Sequence, residues 1–265
     1  KAGESNYTEF GVDRDLLGFE GYRTTRLDHP GLRYAQGKKG ASLLFHPAGW
    51  EAQVPVIVVP DSRKALSKLS LAFYANPFKT ITLIGITGTN GKTTTSYLLE
   101  SMIKAACGKP GVLGTVNYRF SQKQFPAPVT TPESLDLIRF SREMVDDGAT
   151  HIVMEVSSHA LDQGRTQDCP FNVAVFTNLS RDHLDYHKTF ERYLTAKKSF
   201  FDNLGHDAFA LVNADDRNGL VMLQNCSAAH YTFSVRSLAD FRCTILEQGF
   251  TGMAMKILGE EVWTR

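Results

Sequence analysis

The chain has 265 residues, 42% of them hydrophobic and 22% charged, and its 29 basic side chains against 28 acidic ones leave a net charge of +1. That length gives room for two domains or one large α/β unit. The even charge argues against a dedicated nucleic-acid binder, which needs a basic surplus against phosphates, and no apolar run approaches the ~20 residues that cross a bilayer. Cys107, Cys169, Cys226 and Cys243 stand far apart without a C-x-x-C pair and read as reduced thiols of a cytoplasmic protein. No basic and apolar leader opens the chain, and Lys1 is not preceded by an initiating Met, so it reads as a portion of a longer protein.

In chain order, the first fifty residues are polar, punctuated by glycine and without a sustained period, and no site is assigned there. Residues 54–59 predict a buried strand ended by Pro60. Asp61-Ser62 then caps a helix with the apolar stripe Ala65, Leu66, Leu69 and Phe73, which should stop near Asn76-Pro77. A domain boundary is placed there, giving a small α/β domain over 1–76 and a central one over 77–265. A strand at 81–86 leads to a helix with Leu98, Leu99, Met102, Ile103 and Ala106 on one face. A strand at 112–116, a helical stripe through Leu135, Leu137, Ile138 and Met144, and strands at 152–156 and 173–176 follow. A helix around 193–201 and a strand at 209–212 continue the alternation, which predicts an α/β fold with a mostly parallel sheet covered on both faces. Beyond residue 230 shorter β segments are expected at 231–235, 241–246 and 253–258.

The strongest motif is Gly85-Ile86-Thr87-Gly88-Thr89-Asn90-Gly91-Lys92-Thr93-Thr94-Thr95, between the first strand and first helix of this unit. Glycines let the backbone turn its N–H groups toward phosphate oxygens, and the following helix adds the positive end of its dipole. Gly88, Thr89, Asn90, Gly91, Lys92, Thr93 and Thr94 are therefore the candidate nucleotide contacts, Lys92 for the β and γ phosphates and Thr93 for magnesium. Ile86 stands where the general pattern carries glycine. Glu155 ends a buried strand and reads equally as a metal-binding carboxylate or as a cap at a solvated strand end. The segment 178–187 follows another strand end and crowds Asp182, His183, Asp185 and His187 together. His183, nearer the strand, reads as functional and His187 as a surface residue.

Thr87-Gly88-Thr89-Asn90-Gly91-Lys92-Thr93-Thr94, Thr130-Thr131-Pro132-Glu133-Ser134, Glu155-Val156-Ser157-Ser158-His159-Ala160-Leu161 and Asp182-His183-Leu184-Asp185-Tyr186-His187, in this order, resemble the Mur ligases. The resemblance is densest between residues 84 and 201. It implies a P-loop ATPase domain in an ATP-dependent amide ligase of peptidoglycan precursor synthesis, one that joins a diamino acid to UDP-N-acetylmuramoyl-L-Ala-D-Glu through an acyl phosphate. The implied cofactors are ATP and Mg2+. Carried over by motif, Lys92 neutralises phosphate, Thr93 and Glu155 hold one magnesium and His183 helps hold a second. Lys197 corresponds to a lysine that family members carbamylate; without the resemblance, Lys197 and Lys198 read as an exposed pair on an amphipathic helix. Thr130, Thr131, Ser157, Gln163 and Arg165 correspond to residues that contact the sugar-nucleotide peptide, although Arg165 alone reads as a surface arginine. The family pattern also implies a cytoplasmic monomer of three domains, with the domain for the incoming amino acid expected beyond residue 265. Asp61-Ser62-Arg63 has the letters of a nucleotide-contacting motif, but it stands directly before a helix and the role is not transferred. The alternatives are a ligase like folylpolyglutamate synthetase and an inactive nucleotide-binding module.

Overall fold

The computed structural model describes residues 61–249 and 252–257, together with the backbone of five further strands at 19–23, 33–37, 42–46, 56–58 and 260–264. Strands β1 (Phe19–Arg23), β2 (Arg33–Gly37) and β3 (Ser42–His46) run antiparallel, and β4 (Val56–Val58) pairs parallel with β3. The opening fifty residues thus contain strands where the sequence shows no period. Each is five residues long, too short for an alternation to repeat. The predicted strand at 54–59 is seen at its centre; its outer residues lie outside the described ones.

The larger sheet has eleven strands in the order β15-β14-β13-β12-β11-β10-β5-β9-β6-β7-β8. Its centre is parallel: β5 (Thr82–Thr87) lies between β9 (His151–Glu155) and β10 (Val173–Phe176). β6 (Pro110–Leu113) continues it beyond β9, and β11 (Phe209–Asn213) and β12 (Ala229–Ser234) beyond β10. At one edge, β13 (Phe241–Gly249) follows β12 in parallel and then forms an antiparallel meander with β14 (Gly252–Ile257) and β15 (Glu260–Thr264). At the other edge β7 (Asn117–Phe120) and β8 (Lys123–Pro126) form a hairpin. The expected strand at 112–116 therefore ends early, at Leu113. Gly114 and Thr115 leave the sheet to meet Glu155, and the chain turns back through Ser121, whose φ is +54°.

The central strands alternate between two cores. Leu83, Leu113, Ile152, Met154, Ala174 and Phe176 point to one face, where they pack with Leu135, Leu137, Ile138, Tyr193 and Phe201. Ile84, Ile86, Val112, Val153 and Val175 point to the other, against Leu99 and Ile103. The first layer is made by α3 (Ser134–Asp146) and α6 (Phe190–Asp202), the second by α2 (Lys92–Ala105). Burial on both faces is why these strands read as continuous apolar runs. The apolar face expected on α2 divides: Leu99 and Ile103 pack on the sheet, whereas Leu98 and Met102 are exposed. Similarly, α1 (Ser62–Phe73) buries Leu66, Ser67 and Ser70 and exposes Leu69 and Phe73. Leu66 and Tyr74 join the same core as Phe78 and Leu83. No helix among the described residues is long and apolar enough to cross a membrane.

Candidate active site

The carboxyl ends of three adjacent strands, β5, β9 and β10, deliver the phosphate loop, Glu155 and the segment from Thr177 onward to one sheet edge. Loop 88–91 needs two positive-φ glycines, Gly88 at +149° and Gly91 at +86°. A Cβ at Gly88 would fall 1.9 Å from Thr177 Oγ1, so the close approach to β10 also demands glycine there. Thr177 and Asn178 hold the loop in place. Thr177 Oγ1 donates to the Asn90 carbonyl (2.7 Å); the Asn178 side chain accepts from Asn90 N–H (3.0 Å) and donates to its carbonyl (3.1 Å). The Asn178 carbonyl accepts from Thr89 N–H at 2.8 Å. Thr89 Oγ1 contacts the Tyr193 hydroxyl at 3.0 Å and accepts from Ser180 N–H, also at 3.0 Å. Thr94 is exposed in the first turn of α2. Sequence reasoning did not assign Thr177 and Asn178; their position at the end of a strand neighbouring β5 was the available signal.

Two lysine Nζ atoms converge on one carbonyl. Lys92 Nζ donates to the carbonyls of Gly88 (2.8 Å) and Thr89 (2.9 Å), and Lys197 Nζ donates to Gly88 O (3.0 Å) and Thr87 Oγ1 (3.3 Å). Lys197 is 1% exposed and lies 4.9 Å from the Tyr193 ring centre. The exposed-pair reading fails for it. Helix α6 turns Lys197 inward with Tyr193 and Phe201, while Lys198 pairs with Asp202 one turn along. Burial, reinforced by the Lys92 charge, holds the Lys197 amine well below the ordinary lysine range, and Asp182 offsets only part of this. Burial also lowers Lys92, opposed by Glu155 and Asp182.

A depressed lysine pKa means that the unfolded chain binds the extra proton over the interval up to the ordinary value near ~10.4, so stability rises with pH there. In degassed, bicarbonate-free buffer, the wild-type protein should gain thermal stability relative to Lys197→Met as the pH is raised from 6 to 9. A pH-independent gap between the two melting temperatures would contradict the buried-amine state.

Glu155 is 1% exposed, which excludes the solvated strand end. Its carboxylate accepts from Thr93 Oγ1 (2.9 Å), Thr115 Oγ1 (2.8 Å) and Thr115 N–H (3.2 Å), and among the described residues it has no ion-pair partner. A Cβ at Gly114 would fall 2.4 Å from Glu155 Oε1, so glycine makes room for the carboxylate. Neither Gly114 nor Thr115 was singled out from sequence, since nothing local ties them to a residue forty positions on. Thr115 Oγ1 also meets Thr130 Oγ1 (3.1 Å), from which it can accept because its own proton serves Glu155, and Thr131 Oγ1 donates to the Glu155 carbonyl (2.8 Å) and accepts from Ser157 N–H (3.0 Å). Ser157 in turn caps α4 (Ser158–Asp162).

The proposed metal set divides in this geometry. Thr93 and Glu155 meet, whereas Lys197 bonds to Gly88 and Thr87. His183 stacks edge-on with His159 (centroids 5.0 Å apart) and lies 3.7 Å from Asp182. Among the described residues no group of three or more His, Cys, Asp or Glu side chains is arranged to hold a metal. His187 is not a surface residue: it is 4% exposed in α5 (Leu184–His187), with Nε2 2.9 Å from Ser158 Oγ. Burial lowers the pKa of both His159 and His187.

Arg165 is likewise built into the structure. Nη1 donates to the Thr131 carbonyl (2.8 Å), Nε and Nη2 donate to Gln163 Oε1 (2.9 and 2.6 Å), and Nε pairs with Glu133 Oε1 at 3.0 Å. Gln163 Nε2 donates to the Tyr186 hydroxyl (3.3 Å), which donates to Asp162. The residues carried over as peptide contacts thus form one connected group beside Glu155.

Residues 86–262 match the family described as Mur ligase middle domain. The chain belongs to the Mur ligase family. A UDP-N-acetylmuramoyl-L-alanyl-D-glutamate–2,6-diaminopimelate ligase of Parabacteroides distasonis is 44% identical over 92% of this chain and 51% of its own length. The corresponding ligase of Phocaeicola vulgatus is 46% identical over 79% of this chain and 43% of its own length. A solved structure of a ligase with the same name is 29% identical, with a TM-score of 0.73, and covers 83% of this chain and 46% of that one. The chain spans about half the length of the curated relatives it matches. The mostly parallel α/β sheet is that of a Mur ligase.

Proposed function

We propose that this chain is the ATP-binding part of a ligase that joins diaminopimelate to UDP-N-acetylmuramoyl-L-Ala-D-Glu. Residues 77–265 form its ATPase domain and residues 1–76 belong to the nucleotide-sugar side. The observation that carries the reading is the convergence of Lys92, Lys197 and the Thr93–Glu155 pair on one strand edge, next to the connected group of Thr130, Thr131, Ser157, Gln163 and Arg165. The relatives' names supply the diamino acid.

The chemical task is to bring a substrate carboxylate against a γ-phosphate. The carboxylate oxygen bonds to phosphorus as ADP leaves; the incoming amine then attacks the acyl carbon, and phosphate departs. Lys92 neutralises phosphate charge, and the loop N–H groups and the α2 dipole add to this. The Glu155 site fits Mg2+, because its buried carboxylate and the Thr93 and Thr115 hydroxyls are hard oxygen donors, and among the described residues no cation is within ion-pair distance of that carboxylate. When bound, the metal would neutralise the transferring phosphoryl group. Lys197, whose amine burial holds well below the ordinary lysine range, is suited to accept CO2 as a carbamate, with loss of a proton, which would add a negative charge to the site. His183, exposed beside Asp182, stands as a further metal contact, and Arg165 orients an anionic group of the peptide substrate.

The complete protein should release phosphate and form the amide only when MgATP, the UDP-dipeptide and diaminopimelate are all present, as read by product mass. Equal turnover with L-lysine would overturn the choice of amino acid. Glutamate addition to a folate would favour the folylpolyglutamate-type alternative.

A further inference from the structure

Glu133 occupies the N-cap position of α3, yet its side chain makes no cap hydrogen bond. Its side chain is 9% exposed and its carboxylate is directed elsewhere: Oε1 pairs with Arg165 at 3.0 Å and Oε2 accepts from Arg63 Nη1 at 3.2 Å. Each oxygen serves a different arginine, one from α1 and one from the turn after α4. The Arg165 side chain is 13% exposed, and four of its contacts are to Thr131, Gln163 and Glu133. These use Nε and one N–H on each terminal nitrogen, which leaves one N–H on Nη1 and one on Nη2 for a ligand. Two arginines against one carboxylate also leave a local surplus of positive charge, the complement of an anion. The Arg63 of the Asp61-Ser62-Arg63 triplet thereby acquires a place. Asp61 caps α1 by accepting from Arg63 N–H and Lys64 N–H, and the arginine side chain reaches Glu133.

We propose that Glu133 is a positioning residue for substrate: it holds the Arg165 guanidinium in the orientation that meets an anionic group of the UDP-dipeptide, and through Arg63 it ties that arginine to helix α1. This rests on the ligase reading of Arg165. Thr131 holds the guanidinium at Nη1, while Gln163 and Glu133 both meet it at Nε. Glutamine at position 133 keeps the length and a hydrogen-bond acceptor but removes the charge that balances two arginines.

The test uses steady-state kinetics of the complete protein, with the UDP-dipeptide and MgATP varied separately. Glu133→Gln should raise KM for the UDP-dipeptide about tenfold or more, the scale of one charge-assisted hydrogen bond, and leave kcat and the KM for ATP within about twofold. Glu133→Asp, which keeps the charge, should recover part of that loss, and Arg63→Met should give a smaller rise of the same kind. An unchanged dipeptide KM in Glu133→Gln, a parallel rise in both KM values, or equal effects of Gln and Asp would overturn the proposal. Arg165→Ala separates the two levels. If it leaves the dipeptide KM unchanged, the substrate reading of Arg165 falls and the proposal with it; if it raises KM while Glu133→Gln does not, only the positioning role falls. Melting temperatures of all four variants identify any that fail through misfolding, in which case Glu133→Asp decides.

Discussion

Lys92→Ala should lower MgATP-dependent amide formation by about 10²–10³-fold or more, the cost of removing one preorganised electrostatic group from the transferring charge. The effect should be large because nothing else replaces that ammonium. Lys197 shares the Gly88 carbonyl with it, and burial holds that amine well below the ordinary lysine range. The fold should survive the change. Among the described residues Lys92 Nζ bonds only to loop carbonyls, and loop 88–91 stays fixed by Thr177, Asn178 and Ser180. Phosphate release coupled to product formation is the measurement, with far-ultraviolet circular dichroism as the control. Turnover close to wild type would remove the phosphate-loop assignment.

Glu155→Gln is the second large effect. The carboxylate sits among hydroxyls and one amide, with a single formal charge to offer a cation. Glutamine fits the same volume, and the Thr93 and Thr115 hydroxyls can rotate to accept from its NH2, so the protein should remain folded. What it loses is the anionic oxygen. We expect kcat to fall by roughly 10²-fold or more and the magnesium concentration for half-maximal rate to rise by about an order of magnitude, as for removal of a charged ligand from a Lewis-acid site. A magnesium titration at saturating ATP checks it. A lower rate with an unshifted magnesium midpoint would assign Glu155 to loop architecture and not to metal binding.

Particular elements show how legible this chain was. The phosphate loop, the central strands and the order of the four motifs could be read directly, because backbone conformation and two-sided burial impose local residue choices: glycine at positive φ, continuous apolar runs in β5, β9 and β10. The hairpin β7–β8 and the short opening strands could not, since a four- or five-residue strand carries too little periodicity. Helix α2 shows a subtler limit. Leu98 and Leu99 are adjacent and equally apolar, and only the direction of the sheet beneath decides that Leu99 packs and Leu98 does not.

The sequence by itself determined membership of the Mur ligases, the α/β alternation and the residue types on which the phosphate-binding proposal rests, because those depend on short stretches read in order. The tertiary structure decided what lies between them. It buried Lys197 and His187, which look like surface residues on their own helices, and it brought Gly114 and Thr115 to Glu155 across forty residues of chain. It also gave the Glu133 carboxylate two arginines instead of a helix cap. Burial and pairing are properties of surfaces brought together by folding, and residues distant in the chain carry no local mark of the neighbour they will meet.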